Sequence, residues 1–235
     1  MRRPAPAGSR VTILVVAALL AGCGAPEGEQ ASGPLPATAP GVPGGRSDLT
    51  VPAALVDEAL DLRAWPMAVP LELQIPSLGI TASVTGVGIT PKNVMDAPMG
   101  PIDDPVWQQA FWYRGSAVPG ALSTALLAGH VGGPRGTSAI FAHLDRLRPG
   151  DPIVVRDTRR ALDVRFAVTE SKTYSLDEAA EPAVLTRIYG VGPVAGTEPQ
   201  PSADGLSHLT LITCTGTFRN GTHDHRLVVY ATRIA

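Results

Sequence analysis

Apolar and polar residues alternate along most of the chain beyond residue 69. Leu71, Leu73 and Ile75 are interleaved with Glu72 and Gln74, and Leu162, Val164, Phe166 and Val168 with polar or small residues. A period of two places one set of side chains on each face of an extended strand. Ile80–Ile89, Ala121–Gly129, Ile153–Arg156, His208–Cys214 and Arg226–Arg233 are further strand candidates, separated by the breakers Pro76, Pro91, Pro119-Gly120, Pro149-Gly150 and Gly205. The expected fold class is all-β, an antiparallel barrel or sandwich with one helical turn near Ala139–Leu147. Tyr174–Asp204, rich in Ala and Pro, reads as a long loop. There is no internal repeat, and no Gly-rich loop opens a helix, which argues against a nucleotide-binding fold.

The N-terminal residues have another pattern. Arg2, Arg3 and Arg10 precede an apolar run, Val11–Leu20, that ends in Leu20-Ala21-Gly22-Cys23. The run is shorter than the ~20 residues of a membrane span and fits the apolar region of an export signal over residues 1–22. Leu-Ala-Gly-Cys resembles the bacterial lipobox, which implies that Cys23 is lipidated; an ordinary signal peptide or an uncleaved anchor is the alternative. Residues 23–68 are expected to be a tether. Gly24–Arg46 has too little apolar side chain to offset its chain entropy, and Leu55, Ala59 and Leu62 are spaced for a short helix within Val51–Trp65. Residues 69–235 then form one domain, long enough to bury roughly 70% of its extended-chain surface.

Charge limits the partners. The chain carries a formal charge of −2, and removing residues 1–22 takes away three arginines and no acid, giving −5. No basic stripe is left to neutralise phosphates, so nucleic acid is not an expected ligand. Cysteine usage is more informative: with Cys23 lipidated, Cys214 is the only thiol of an exported chain, without a disulfide partner. It is then either buried and inert or retained for its chemistry.

Cys214 ends one strand candidate and Arg226 begins the next, with the eleven residues Thr215–His225 between them. If the two strands pair as a hairpin, both residues sit at the same mouth, on one face if the register agrees. His130 ends another apolar strand, in ALLAGHVGG, where the chain leaves the sheet and a loop begins. An imidazole beside Cys214 can lower the thiol pKa and carry a proton, and a guanidinium suits an oxyanion. Cys, His and Arg together point to acyl transfer. A transition-metal site using His223 and His225 with Cys214 and His130 is the weaker alternative, and no metal or other cofactor is expected. Asp103 and Asp104 read as a turn.

GHVGG, FAHLDRLRPGD (Phe141–Asp151), LTLITC and HRLVVYA (His225–Ala231), with WYRG (Trp112–Gly115) and the Ile75-Pro76 start, resemble the bacterial sortases. The resemblance is nearest to the class F type of high-G+C Gram-positive bacteria. It implies a closed eight-stranded β-barrel with short helical turns and a cysteine transpeptidase. Cys214 would form a thioester with an LPXTG-like sorting motif, His130 would carry the protons, and Arg226 would hold substrate and oxyanion with help from Thr213. The implied partners are a protein or peptide bearing a sorting signal, an amine acceptor such as a cell-wall precursor, and the membrane through the N-terminal lipid. The implied place is the extracytoplasmic face of the cell membrane. Thr215-Gly216 stands where the family pattern has a Gly-Gly pair, and THDHR replaces a stretch bearing Tyr and Asn. Arg219 is the alternative arginine, and Arg226 is preferred because it heads a strand. A barrel kept as a binding or structural module of the envelope, without turnover, is the alternative function.

Overall fold

The computed structural model describes residues 61–234. Eight strands, β1 (Met67–Ile75), β2 (Ile80–Val87), β3 (Ala110–Tyr113), β4 (Thr124–Ala128), β5 (Pro152–Asp157), β6 (Leu162–Ser175), β7 (His208–Arg219) and β8 (Thr222–Arg233), close into a barrel. Their order around it is β1-β2-β3-β4-β7-β8-β6-β5. The β2–β3 and β4–β7 pairs are parallel and the others antiparallel.

The alternation read along the chain is the inside and outside of this barrel. Leu73, Ile75, Leu127, Ile153, Val155, Phe166, Leu209, Leu211 and Val229 pack together as the interior. The intervening residues of one sector are also apolar. Phe111, Tyr113, Leu126, Val228 and Tyr230 form a second, outer cluster with Tyr174, Leu185, Ile188 and Tyr189. Strands in that sector are buried on both faces, so β3, with all four residues of Ala-Phe-Trp-Tyr buried, shows no period of two. It is the one strand the periodicity did not predict.

The cover comes from the segment expected to be loop. Ser175 and Glu178 form a reciprocal capping box on the short helix α1 (Leu176–Ala179), and Pro182 opens α2 (Pro182–Tyr189) at a position where its missing N–H costs nothing. Gly190, at φ 82°, ends α2. Leu185, Ile188 and Tyr189 are its buried face. Arg187 fastens the helix to β6 and β8, pairing with Glu170 and lying 4.0 Å from the Tyr230 ring centre. The turn expected within Ala139–Leu147 is a single 3-10 turn at Leu144–Arg146.

β7 and β8 are longer than predicted and meet at a two-residue turn, Asn220-Gly221, with φ of 53° and 79°. Positive φ at both positions is the type I′ geometry that suits the twist of a hairpin. The domain also begins earlier than Val69: the Ile89 N–H donates to the Leu62 carbonyl at 2.7 Å, and Arg114 Nη2 to that of Ala64 at 2.7 Å. The expected export signal, Cys23 and most of the tether lie outside the described residues. Of the short helix expected over Val51–Trp65, only residues 61–65 are described, and they form a turn.

Candidate active site

Cys214 and Arg226 are direct partners in the β7–β8 ladder. Opposed residues of an antiparallel pair project to the same side. Even-numbered residues of both strands, Ile212, Val228 and Tyr230, pack with the outer cluster, so Cys214 and Arg226 lie on the outer face of the barrel. The register condition left open by the spacing is met.

His130 reaches the same place from β4. That strand runs parallel to β7 with Ala128 opposite Ile212, and the Gly129 N–H extends the ladder to the Ile212 carbonyl at 3.1 Å. Carrying the same offset one residue further sets His130 abreast of Cys214, on adjacent strands about 4.8 Å apart. The Thr213 hydroxyl donates to the Gly129 carbonyl at 2.8 Å, pinning the end of β4 to β7. Thr213 is buried and its proton is committed to that bond, so its side chain is a brace between β4 and β7. The expected help from its hydroxyl at an oxyanion is not what the geometry provides.

Two glycines make this local arrangement possible. A Cβ on Gly129 would lie 2.5 Å from the Phe141 ring, so only glycine lets the chain pass under Phe141 into His130. Gly216 has φ of 80° at the irregularity between Thr215 and Phe218, where a Cβ would meet Asp224 Oδ1 at 2.1 Å. That bulge turns the hairpin just beyond Cys214.

All three side chains are shielded: Cys214 is 2%, Arg226 4% and His130 5% exposed. Burial pulls the His130 pKa below the ordinary 6.5, and the Pro98 carbonyl opposes this in part. Nε2 lies 2.9 Å from that carbonyl, which can only accept, so Nε2 carries a proton and Nδ1 is the basic nitrogen of the neutral ring. Trp107 and Phe111 hold the ring, with centroids at 4.8 and 5.3 Å. Arg226 Nη1 donates to the carbonyls of His223 and His225 at 3.0 and 2.8 Å. Desolvation lowers the Arg226 pKa to about 10, and interaction with Tyr189 works against the shift. The guanidinium remains cationic at neutral pH.

Sequence reasoning missed Pro98, Trp107 and Phe111 around His130, and Tyr189 beside Arg226. The capping-box pattern Ser175-x-x-Glu178 followed by Pro182 was a readable signal for the helices that bring Tyr189 there. The Asn220-Gly221 dipeptide was another, for the full length of the hairpin. Arg219 pairs with Thr222 at the hairpin turn, beyond the bulge from the Cys214–Arg226 pair, and so belongs to the tip. His223 Nδ1 contacts the Gly216 carbonyl and His225 Nδ1 contacts Asp224; among the described residues no group of three or more His, Cys, Asp or Glu could hold a metal ion.

One expectation is corrected. Cys214 is disulfide-bonded in this structure, whereas the sequence reading left it without a disulfide partner. Among the described residues no helix is long and apolar enough to cross a membrane.

An eight-stranded barrel that sets Cys214 on β7 opposite Arg226 on β8, with His130 just past the end of β4, has the groups of a cysteine acyl-transfer site. The family model for the sortase domain matches residues 73–234, and the chain belongs to the sortase family. Its function is that of a sortase, a cysteine transpeptidase acting on proteins that bear a sorting signal. No curated protein matches the chain. Solved structures similar to it include sortase A from Corynebacterium diphtheriae, 19% identical with a TM-score of 0.49, over 81% of this chain and 73% of that one. Sortase C-1 from Actinomyces oris is 20% identical with a TM-score of 0.47, over 78% and 80%. A pilus-related sortase C of Group B Streptococcus is 19% identical with a TM-score of 0.47, over 72% and 68%.

Proposed function

We propose that Cys214, once reduced, is the nucleophile of this transpeptidase, with His130 as its proton carrier and Arg226 as its oxyanion and substrate group. The observation that carries this reading is the register: Cys214 faces Arg226 across β7–β8, and the β4–β7 offset sets His130 beside Cys214. Neutral His130 takes the thiol proton through Nδ1 as sulfur attacks the carbonyl of an LPXTG-like sorting motif. The oxyanion forms within reach of the Arg226 fork, whose Nη1 is held by the hairpin carbonyls. The imidazolium then protonates the departing amine, leaving a thioester on Cys214. An incoming amine attacks that thioester, its proton passes to His130, and the thiol is released with a new amide bond. Water in place of the amine gives slow hydrolysis.

The phrases GHVGG, LTLITC and HRLVVYA support a class F type of sortase. Arg2, Arg3, Arg10, the run Val11–Leu20 and Leu-Ala-Gly-Cys support export and an anchor at the extracytoplasmic membrane face, by lipid on Cys23 or by an uncleaved N-terminus. A cell-wall precursor is the acceptor consistent with that place.

The test is intact-mass analysis of the full chain under reducing conditions with an LPXTG-type peptide library and an amine acceptor, beside Cys214→Ala. A thioester adduct and transfer product are expected, both lost in the variant and both suppressed when reductant is omitted. Transfer by Cys214→Ala would overturn the assignment, as would a reduced, alkylatable Cys214 that no peptide acylates.

A further inference from the structure

Six of the ten large apolar side chains exposed among the described residues, Trp65, Met67, Leu122, Leu162, Leu206 and Ile234, lie at one end of the barrel. The ladders place them there. β7 begins at His208, opposite Thr124 at the start of β4 and Thr232 near the end of β8, so Leu122, Leu206 and Ile234 flank one level. The Ile234 N–H donates to the Arg165 carbonyl at 2.9 Å, and β6 extends back from there to Leu162, opposite Asp157. The Thr158 N–H donates to the Pro70 carbonyl at 3.0 Å, which brings the β5–β6 turn beside the start of β1, where Trp65 and Met67 are. Cys214 lies six residues along β7 from His208, about 20 Å away, towards the other end.

These side chains stand singly on five separate segments, among arginines. Asp157 pairs with Arg159, Asp163 with Arg156 and Arg165, and Asp204 with His208. Asp61 and Asp96 both act on the buried Arg114. Arg63, Arg160 and Arg233 are exposed and surplus to those pairs, so this end is positive on a chain whose formal charge is −2. The chain also enters here. The Leu62 and Ala64 carbonyls are fixed by the Ile89 N–H and by Arg114, so residues 61–65 reach the barrel at this end. Upstream in the sequence are Arg2, Arg3, Arg10 and the apolar run Val11–Leu20.

We propose that this end of the barrel docks on an anionic bilayer surface, with Trp65, Leu122, Leu206 and Ile234 entering the headgroup layer and Arg63, Arg160 and Arg233 meeting lipid phosphates. The inference goes beyond the transpeptidase reading and shares with it only the membrane. Isolated apolar tips interleaved with guanidinium groups suit a bilayer interface, where each apolar side chain finds hydrocarbon and each cation an anion. Trp65 is of the residue type that favours the headgroup level. A protein partner needs a continuous apolar centre, which single tips on five segments do not form. An anchor upstream of residue 61 would raise the local concentration of lipid, so that a weak contact suffices. Docking by this end turns Cys214, His130 and Arg226 away from the bilayer.

The test uses the full chain with vesicles of phosphatidylcholine, with and without phosphatidylglycerol, read by tryptophan emission and amide exchange. Trp65 is 89% exposed whereas Trp107 and Trp112 are buried, so a change in emission reports on this end. With phosphatidylglycerol the emission should move to shorter wavelength, and exchange at Thr158–Leu162 and Asp204–Leu206 should slow severalfold. Met99 and Phe218, which lie with His130 at the active-site end, should not change. Phosphatidylcholine alone, on which an N-terminal anchor would hold the chain equally well, should give neither effect, and high salt should weaken both. Arg160→Glu combined with Leu206→Ser should abolish both on the mixed vesicles with Tm unchanged. The proposal is overturned if mixed vesicles retain the chain without protecting these loops, protect Met99 and Phe218 instead, or do not bind it. Protection that appears without lipid as protein concentration rises would assign this end to a second copy and also overturn it. Retention by mixed vesicles alone, lost in the double variant, supports the docking surface while refuting the N-terminal anchor.

Discussion

Replacing Arg226 by Gln should separate activity from stability. The guanidinium is 4% exposed and its pKa is lowered from the ordinary arginine value to about 10, chiefly by desolvation. At about 1.4 kcal/mol per unit, that shift corresponds to a cost of roughly 3 kcal/mol for keeping the charge in this site. Both pKa values lie far above neutrality, so the cost is constant through the physiological range and stability depends on this group only above pH about 10. Two hydrogen bonds from Nη1 to the His223 and His225 carbonyls offset it, each worth about 1.5 kcal/mol or more for a charged donor. Gln removes the desolvation cost and the charged bonds together, so the unfolding free energy should change by no more than about 1–2 kcal/mol. Acylation should fall by about 10²–10³, the usual consequence of deleting one oxyanion donor. Lys keeps the charge and loses the planar fork, and should lie between Gln and wild type. Urea unfolding and single-turnover acylation of the reduced chain by a sorting peptide measure the two quantities. Acylation within threefold of wild type, or a loss of activity matched by a stability loss well above 2 kcal/mol, would refute a transition-state role for Arg226.

Gly216→Ala places a Cβ at φ +80° against Asp224 Oδ1, and should lower stability by about 1–2 kcal/mol from backbone strain alone, with slower acylation because the bulge directs the chain beyond Cys214. An unchanged Tm would show that the bulge is not under this constraint. For His130, burial lowers the native pKa below the ordinary value, so as pH falls the unfolded chain binds this proton first. Its contribution is therefore complete above pH ~6.5 and is lost as pH falls from there towards the depressed native value. His130→Asn should be less sensitive than wild type to a change from pH 7.5 to 5.5 in urea unfolding, and an identical pH dependence of the two proteins contradicts the burial argument. The half-buried Asp96 has a raised pKa and acts in the opposite sense at lower pH, but it is common to both proteins and drops out of the comparison.

How much of this was legible follows from which faces each strand buries. β1 and much of β6 have one face on the interior and another partly exposed, and their alternation was plain in Leu71–Ile75 and Leu162–Val168. β3 is buried on both faces and only four residues long, so Ala110–Tyr113 carries no period at all. The same double burial governs the site. Cys214 and Arg226 lie on the outer face within β7 and β8, and His130 just past β4; their association could be read from the ends of the strand candidates and a period of two once the hairpin was assumed. What the period could not supply was the cover, because Trp107 comes to His130 from a short turn, Phe111 from the fully buried β3, and Tyr189 from α2, the helix that follows the capping box of α1. The distinction is physical. The reacting residues inherit their positions from ladders between strands that the period reveals, whereas the groups that desolvate the site come from a turn, a helix and a strand without a period. That is why the reacting residues could be named from sequence, while their burial, which sets the proton on His130 Nε2 and holds Arg226 at a pKa of about 10, required the fold.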